Sequence, residues 1–479
     1  MAPSSPESPG PAAGEVTQPA LIAEHAPDSP ARPRREPSAP PAGTPSSSSR
    51  RTRTSSHRPG DAATPGGRYG ARPEDEGAAL ERRVARVEFA EGALVRLRVP
   101  VRADAESGRD VLTDIDVLAI DIDLRLRTTR SISECKSGQG QAKEPDRLFW
   151  LSGLARFVGA DRATLVRRTA RQRGREIAVS LGLQVLDIPQ LEAREAAHAW
   201  LPSSFAHVGG TGCREAEARA DEQVKDLGYI PSELVAFLRH GALLARSDRA
   251  LASLVSLEER LREGSDLPAP LSTVLASHAL MCLLLAAVAD AQALDQLRPD
   301  EMLRRLRVSL TVGGQGQSNV LEILGAADQI VHHYVEQLHR QYSAHGAARR
   351  DLPIPSLRTL VSEPPEWLPR YMDLLQELRG NPTVARDLPQ TAELACFDAI
   401  VGDSAYLSPA FDHLFTPEHR QLLRVAVRTL RAIIGASLTD RLGADLANIE
   451  FVRRAPALPD RRGVPVVSDD ASVNLAEEE

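Results

Sequence analysis

Between residues 73 and 190 the spacing of apolar side chains switches repeatedly between a period of two and a period near 3.6, and this restricts the fold more than anything else in the 479-residue chain. Pro73, Glu74, Asp75 and Glu76 open a helix that carries Leu80, Val84 and Val87 at helical spacing and that Gly92 stops. From 94 to 101 the side chains alternate: Val95, Leu97, Val99 and Val101 share one parity and Arg96 and Arg98 the other, which is strand behaviour. Residues 116 to 122 and 130 to 136 read as two further strands. A helix over 145 to 158 has Leu148, Leu151, Leu154 and Val158 on one face. A strand near 164 to 166, a helix near 175 to 181 and a strand over 183 to 188 complete the series. The order helix, three strands, helix, strand, helix, strand predicts an α/β domain over 73–190 built on a mixed sheet.

Beyond residue 191 strand signals fade. Leu251, Leu254, Leu257 and Leu261, and then 274 to 294, 302 to 310, 320 to 338 and 422 to 438, keep helical spacing, so 191–453 reads as a mainly α-helical region without a fixed-period repeat. Residues 1–72 hold 14 of the 35 prolines, a single aromatic residue, Tyr69, and the stretch Ser49-Arg50-Arg51-Thr52-Arg53. So little apolar surface cannot offset chain entropy, and a disordered Pro/Ser/Arg-rich N-terminal tail is expected. A second loose, acidic tail is expected over 454–479.

Lys+Arg 58 against Asp+Glu 65 gives a formal net charge of -7, so any nucleic-acid contact requires a local basic surface rather than a basic whole. Only Lys136, Lys143 and Lys225 are lysines; the other 55 of those cations are arginines. A lysine stands out in this background, because the compact ammonium can lose its proton and the guanidinium effectively cannot. Cys135, Cys213, Cys282 and Cys396 are far apart, with no CxxC and no histidine at finger spacing. They suggest neither a disulfide framework nor a zinc site, and a reducing cytoplasm fits. The N-terminus lacks a secretory apolar core. The most apolar run, 274 to 289, is shorter than the roughly 20 residues a bilayer-spanning helix needs; it reads as a buried helix, with no membrane as partner.

If the second and third strands form an antiparallel hairpin, the midpoint between Asp116 and Glu134 is residue 125, inside a turn over 123 to 127, and the two carboxylates face each other. The period of two puts Lys136 on the face of Glu134, and Asp114 on that of Asp116 as a reserve ligand. These ionisable groups, flanked by Ile115, Val117 and Ile132, occupy a costly position for charge unless a metal compensates it. Paired carboxylates suit a hard cation such as Mg2+, with Mn2+ as substitute, and a neighbouring lysine can orient water or offset charge building on a phosphoryl group.

The motif T-D-I-D-V-L-A followed by S-E-C-K-S-G, set in this element order, resembles the PD-(D/E)xK restriction-endonuclease-like superfamily, and looks closest to its Mrr-like branch. The resemblance covers roughly residues 75 to 190. It implies an αβββαβ core, Asp116 and Glu134 as metal ligands, the backbone carbonyl of Cys135 as a further ligand, Lys136 as catalytic lysine, and Glu81 of L-E-R-R-V-A joining the site. It also implies a Mg2+-dependent deoxyribonuclease that hydrolyses phosphodiester bonds, in restriction, phage defence or repair, with the helical region recognising a partner or mediating self-association. The alternative is an inactive nuclease-fold protein that holds nucleic acid or recruits a partner. Arg167, Arg168, Arg171, Arg173 and Arg175 are the candidate phosphate contacts.

Other features carry less. Phe149 and Trp150 are expected in the core of their helix rather than stacked on a base. His332, His333, Glu336 and His339 share a helix at metal-ligand spacing but read as an ordinary polar face. Gly209-Gly210-Thr211-Gly212 and Gly313-Gly314-Gln315-Gly316 lack the context of a phosphate loop and read as linkers.

Overall fold

Helix α1 (Glu76–Ala90) lays Leu80, Val84 and Val87 against a five-stranded sheet of β1 (Leu94–Arg102), β2 (Val111–Ile122), β3 (Thr128–Lys136), β4 (Arg162–Arg167) and β5 (Gln184–Asp187). The computed structural model describes residues 76–102, 111–136, 144–198, 201–264, 266–312, 317–346, 356–357 and 365–451. The two expected tails, the start of the first helix at Pro73 to Asp75, Lys143 and the Gly313 to Gly316 segment lie outside the described residues.

The strand order is β1-β2-β3-β4-β5. The first three strands pair antiparallel, and β3, β4 and β5 pair in parallel. Parallel neighbours require crossovers, which α2 (Glu144–Val158) and α3 (Gln172–Ser180) provide. The chain leaves β5 through α4 (Ile188–Ala196), so Ile188 opens a helix rather than ending the strand. Asp187 caps α4 by accepting from the Gln190 N–H while the Gln190 side chain accepts from the Asp187 N–H. The mixed sheet and its element order are those expected from the alternating periods.

Two side-chain placements depart from the sequence reading. On α2 the core face is Leu148, Leu151, Leu154 and Ala155, and Phe149 and Trp150 turn outward, 60% and 37% exposed, rather than packing in the core. The two arginines of β1 also part company. Arg98 is exposed, but Arg96 is buried beneath the helical region, with Nη1 2.5 Å from Glu393 Oε2 and its hydrogen bond donated to the Val95 carbonyl.

The helical region is organised around the helix Leu271–Ala293, in which every residue from 271 to 288 is buried. At 23 residues it is longer than the apolar run read from the sequence; its length and composition alone would let it cross a bilayer, but its apolar window is wholly buried inside the protein. Helix α5 (Thr211–Leu227) and the helices Ser247–Glu263, Leu368–Gly380, Pro382–Leu394, Pro417–Ile434 and Ala436–Ala447 pack around it. The two parts share one core. Phe89 of α1, Phe205 and Phe411 meet edge to face with centroids 4.7, 5.1 and 5.7 Å apart, and buried Gln390 donates to the carbonyls of Phe89 at 2.7 Å and Ala93 at 3.0 Å.

Acid should loosen this packing at a defined position. His419 is buried in the first turn of Pro417–Ile434 with Nδ1 2.9 Å from Thr416 Oγ1, and burial, opposed by Asp387 and Glu418 and helped by His413, brings its pKa from 6.5 down to about 4. An unfolded chain takes up that proton near 6.5 while the folded chain resists until about 4, so stability falls as pH drops through this interval. Urea unfolding from neutral pH down to pH about 4.5 should show His419→Gln losing about 2 kcal/mol less than the parent chain over that range.

Candidate functional site

The β2–β3 hairpin closes at Asp123, whose N–H donates to the Arg127 carbonyl and whose carboxylate accepts from the N–H groups of Arg125 and Arg127. From that turn the register runs from Ile122↔Thr128 to Val117↔Ser133. One step further along the same register lie Asp116 and Glu134, where β3 continues beside β4 through the pairs Glu134↔Leu165, Cys135↔Val166 and Lys136↔Arg167. Just past the last paired residues, the Cys135 N–H donates to Asp116 Oδ2 at 2.7 Å, a hydrogen bond strengthened by the charge of its acceptor.

The structure brings Asp116, Glu134 and Lys136 together. Lys136 Nζ lies 2.7 Å from Glu134 Oε1 and donates to Asp116 Oδ2 at 3.5 Å, so one ammonium compensates two carboxylates. Glu134 is 4% exposed. Its burial, and then the negative charge of Asp116, push its pKa up. For Lys136, burial acts against the charged form, but the hydrogen bond to Glu134 and the charge of Asp116 outweigh it and raise the pKa. Glu81 is buried on α1, where burial raises its pKa, and its carboxylate accepts from Arg98 Nε at 2.9 Å while feeling the charges of Asp116 and Lys136. The Cys135 thiol is buried and its pKa is pushed well up. Asp114 is exposed, opposite Pro100, and among the described residues no hydrogen bond or ion pair joins it to the cluster.

Two arginines of the site carry no mark in the sequence. Arg147, in the first turns of α2, brings Nη1 to 3.6 Å from Glu134 Oε1. Arg98 sits across from Asp116, between the pairs Leu97↔Val117 and Val99↔Ile115, with a left-handed φ of 52° inside a strand. For a side chain with a Cβ such a backbone costs about 1–3 kcal/mol, a strain that recurs at functional sites. Alternation alone cannot reveal it.

The arginine cluster divides. Arg167 Nη1 lies 3.6 Å from Glu144 Oε2, and Arg175 Nη2 lies 2.5 Å from Asp187 Oδ2, so both have partners within the chain. Arg168, Arg171 and Arg173 are exposed. His332, His333 and Glu336 are exposed on the helix Gln317–Ala344, and Glu336 pairs with Arg340 rather than gathering with the histidines.

A second buried polar cluster lies in the helical region, built from Cys213, whose spacing from the other cysteines suggests no zinc site, and from three residues the sequence does not single out. Cys213 and Glu217 stand one turn apart on α5, His207 projects from the turn before it, and His278 comes from the helix Leu271–Ala293. Glu217 Oε1 lies 3.1 Å from His207 Nε2, 2.8 Å from His278 Nε2 and 3.2 Å from Arg239 Nε. His207 Nδ1 is 2.7 Å from Glu393 Oε1, the carboxyl that also meets Arg96. Cys and Glu four apart on a helix is the one local signal that could have marked them. The glycines read as a linker make this turn: Gly209 has φ +84°, and a Cβ on Gly210 would lie 2.5 Å from the Ala206 carbonyl oxygen and 2.7 Å from its nitrogen.

Comparison with protein-family models, with curated proteins and with solved structures finds no match to this chain.

Backbone atoms cannot swing aside as a side chain can, so Gly210→Ala should cost about 1–3 kcal/mol of unfolding free energy in urea titrations. Gly443→Ala, inside the helix Ala436–Ala447 with only an ordinary 3.7 Å contact between its Cβ and Val427, should instead raise it by up to about 1 kcal/mol.

Proposed function

We propose that the chain is a divalent-metal-dependent nuclease that hydrolyses phosphodiester bonds in DNA, with Asp116, Glu134 and Lys136 at the centre of its active site and Mg2+ as cofactor. The observation that carries this reading is the convergence of two carboxylates and one of only three lysines at the point where the antiparallel part of the sheet gives way to the parallel part. A solvated surface ion pair would leave both partners open to water, whereas Glu134 is nearly sealed. The order of helix, three strands, helix and strand supports a PD-(D/E)xK-like core of the Mrr-like kind. The four described cysteines, all buried and unpaired, fit a reducing cytoplasm.

The donor set fits a hard cation. Asp116 and Glu134 supply carboxylate oxygens, with buried Glu81 alongside and the Cys135 carbonyl a further ligand by family resemblance; burial makes such charge costly without a counter-ion. When bound there, Mg2+ supplies positive charge for phosphoryl oxygens and makes water more acidic. Lys136 Nζ, already held between the two carboxylates, is positioned to donate to the attacking water or to a non-bridging phosphoryl oxygen. Arg147 adds positive charge on the α2 side, and the same helix carries exposed Phe149, Trp150 and Phe157, faces on which bases of an opened strand can stack. Exposed Arg168, Arg171 and Arg173 extend the basic surface beyond β4.

Incubating the full chain with plasmid and linear duplex DNA in Mg2+, Mn2+ or chelator tests the proposal. Cutting should require the metal, and Lys136→Ala should lower its rate by about 100-fold or more while leaving DNA binding in place. Binding without cutting in either metal would favour the inactive, nucleic-acid-holding alternative. Neither binding nor cutting would remove nucleic acid from the reading altogether.

A further inference from the structure

The cluster at the start of α5 has the makings of a metal centre of a different kind from the acidic one. One ligand atom each of His207, Cys213 and Glu217 lie within 4.8 Å of one another, and His278 Nε2, outside that mutually close set, lies 2.8 Å from Glu217 Oε1. Around a tetrahedral zinc, with bonds of about 2.0–2.3 Å, donor atoms stand roughly 3.3–3.8 Å apart, so small side-chain adjustments would close the set. We propose that His207, Cys213, Glu217 and His278 bind a structural Zn2+ that fastens the turn at 205–210 to α5 and to the helix Leu271–Ala293.

Glu217 Oε1 meets both imidazoles, one for each lone pair, while Arg239 Nε stands 3.2 Å away without hydrogen-bonding to it. Arg239 does not depend on that oxygen, since Asp221 already takes two of its hydrogen bonds at 2.8 and 2.9 Å. His207 is oriented from behind: with Nδ1 engaged by Glu393, its Nε2 faces the cluster, the arrangement by which carboxylates commonly aim an imidazole at zinc.

Charge and softness agree with the geometry. Arg96 balances Glu393 and Arg239 balances Asp221, so a divalent ion held by one thiolate and the Glu217 carboxylate leaves this buried region without net charge. A sulfur and two imidazoles favour Zn2+ over Mg2+, which seeks oxygen. Cys213 and His278 are each 1% exposed, and four protein donors leave no open position, as in structural rather than catalytic zinc sites. The site is independent of the nuclease reading.

The test uses the full chain. As purified it should carry about one zinc per molecule by elemental mass spectrometry. After stripping with chelator, added Co2+ should give a sulfur-to-cobalt charge-transfer band and the visible bands of a tetrahedral ion, and added Zn2+ should erase both and raise Tm. Cys213→Ser should lose the sulfur band and His278→Ala should weaken Co2+ binding at least 10-fold. Cys282→Ser and Cys396→Ser, which alter the other buried thiols of the helical region, and Asp116→Asn, in the acidic cluster, should keep the spectrum. A sulfur band that survives in Cys213→Ser overturns the proposal. So does a parent chain with no zinc, no cobalt spectrum and no rise in Tm, a result that stands even where a variant fails to fold.

Discussion

The hairpin between β2 and β3 is fixed at one end and opened at the other, and the acidic cluster depends on both. At the closed end the Asp123 carboxylate binds two backbone N–H groups while Leu126, fully buried, takes a left-handed φ of 60°. A slip of one residue would send Glu134 and Lys136 to the other face of the sheet and Asp116 would lose them both. At the open end β3 pairs on with β4, and the Cys135 N–H and Lys136 ammonium, both donating to the Asp116 carboxylate, link β3 to β2 beyond the hairpin ladder.

Local pattern made this part of the fold legible. Alternation marked the strands, the loop length set the register, and Lys136 stood out because lysine is rare in the chain. What escaped reading depends on distant partners or on backbone geometry. The burial of Arg96 needs Glu393, which belongs to a helix on the far side of the sequence. Phe149 and Trp150 sit in an apolar helix, but α2 offers its core only the face of Leu148, Leu151 and Leu154, and periodicity does not say how wide that face is. The left-handed Arg98 interrupts a strand whose side chains still alternate. His207, Cys213, Glu217 and His278 come from three segments, and a search for paired cysteines or finger spacing passes over them.

The few polar side chains of Leu271–Ala293 specify how that apolar helix is seated. His278 meets Glu217 of α5, and Asp290 accepts from Ser247 at 2.6 Å and Tyr371 at 2.8 Å. Apolar contact alone would tolerate rotation about the helix axis. A buried acid that needs two hydroxyls from two different helices does not, because an altered rotation would strand its charge.

Gln390 has a wider bearing. Its amide donates to the carbonyls of Phe89 and Ala93, where α1 runs out and β1 begins, the first of which also accepts from the Gly92 N–H. The earliest elements of the sheet are thus tied to a side chain contributed some three hundred residues later. A fragment that stopped short of residue 382 would therefore leave both carbonyls without this donor.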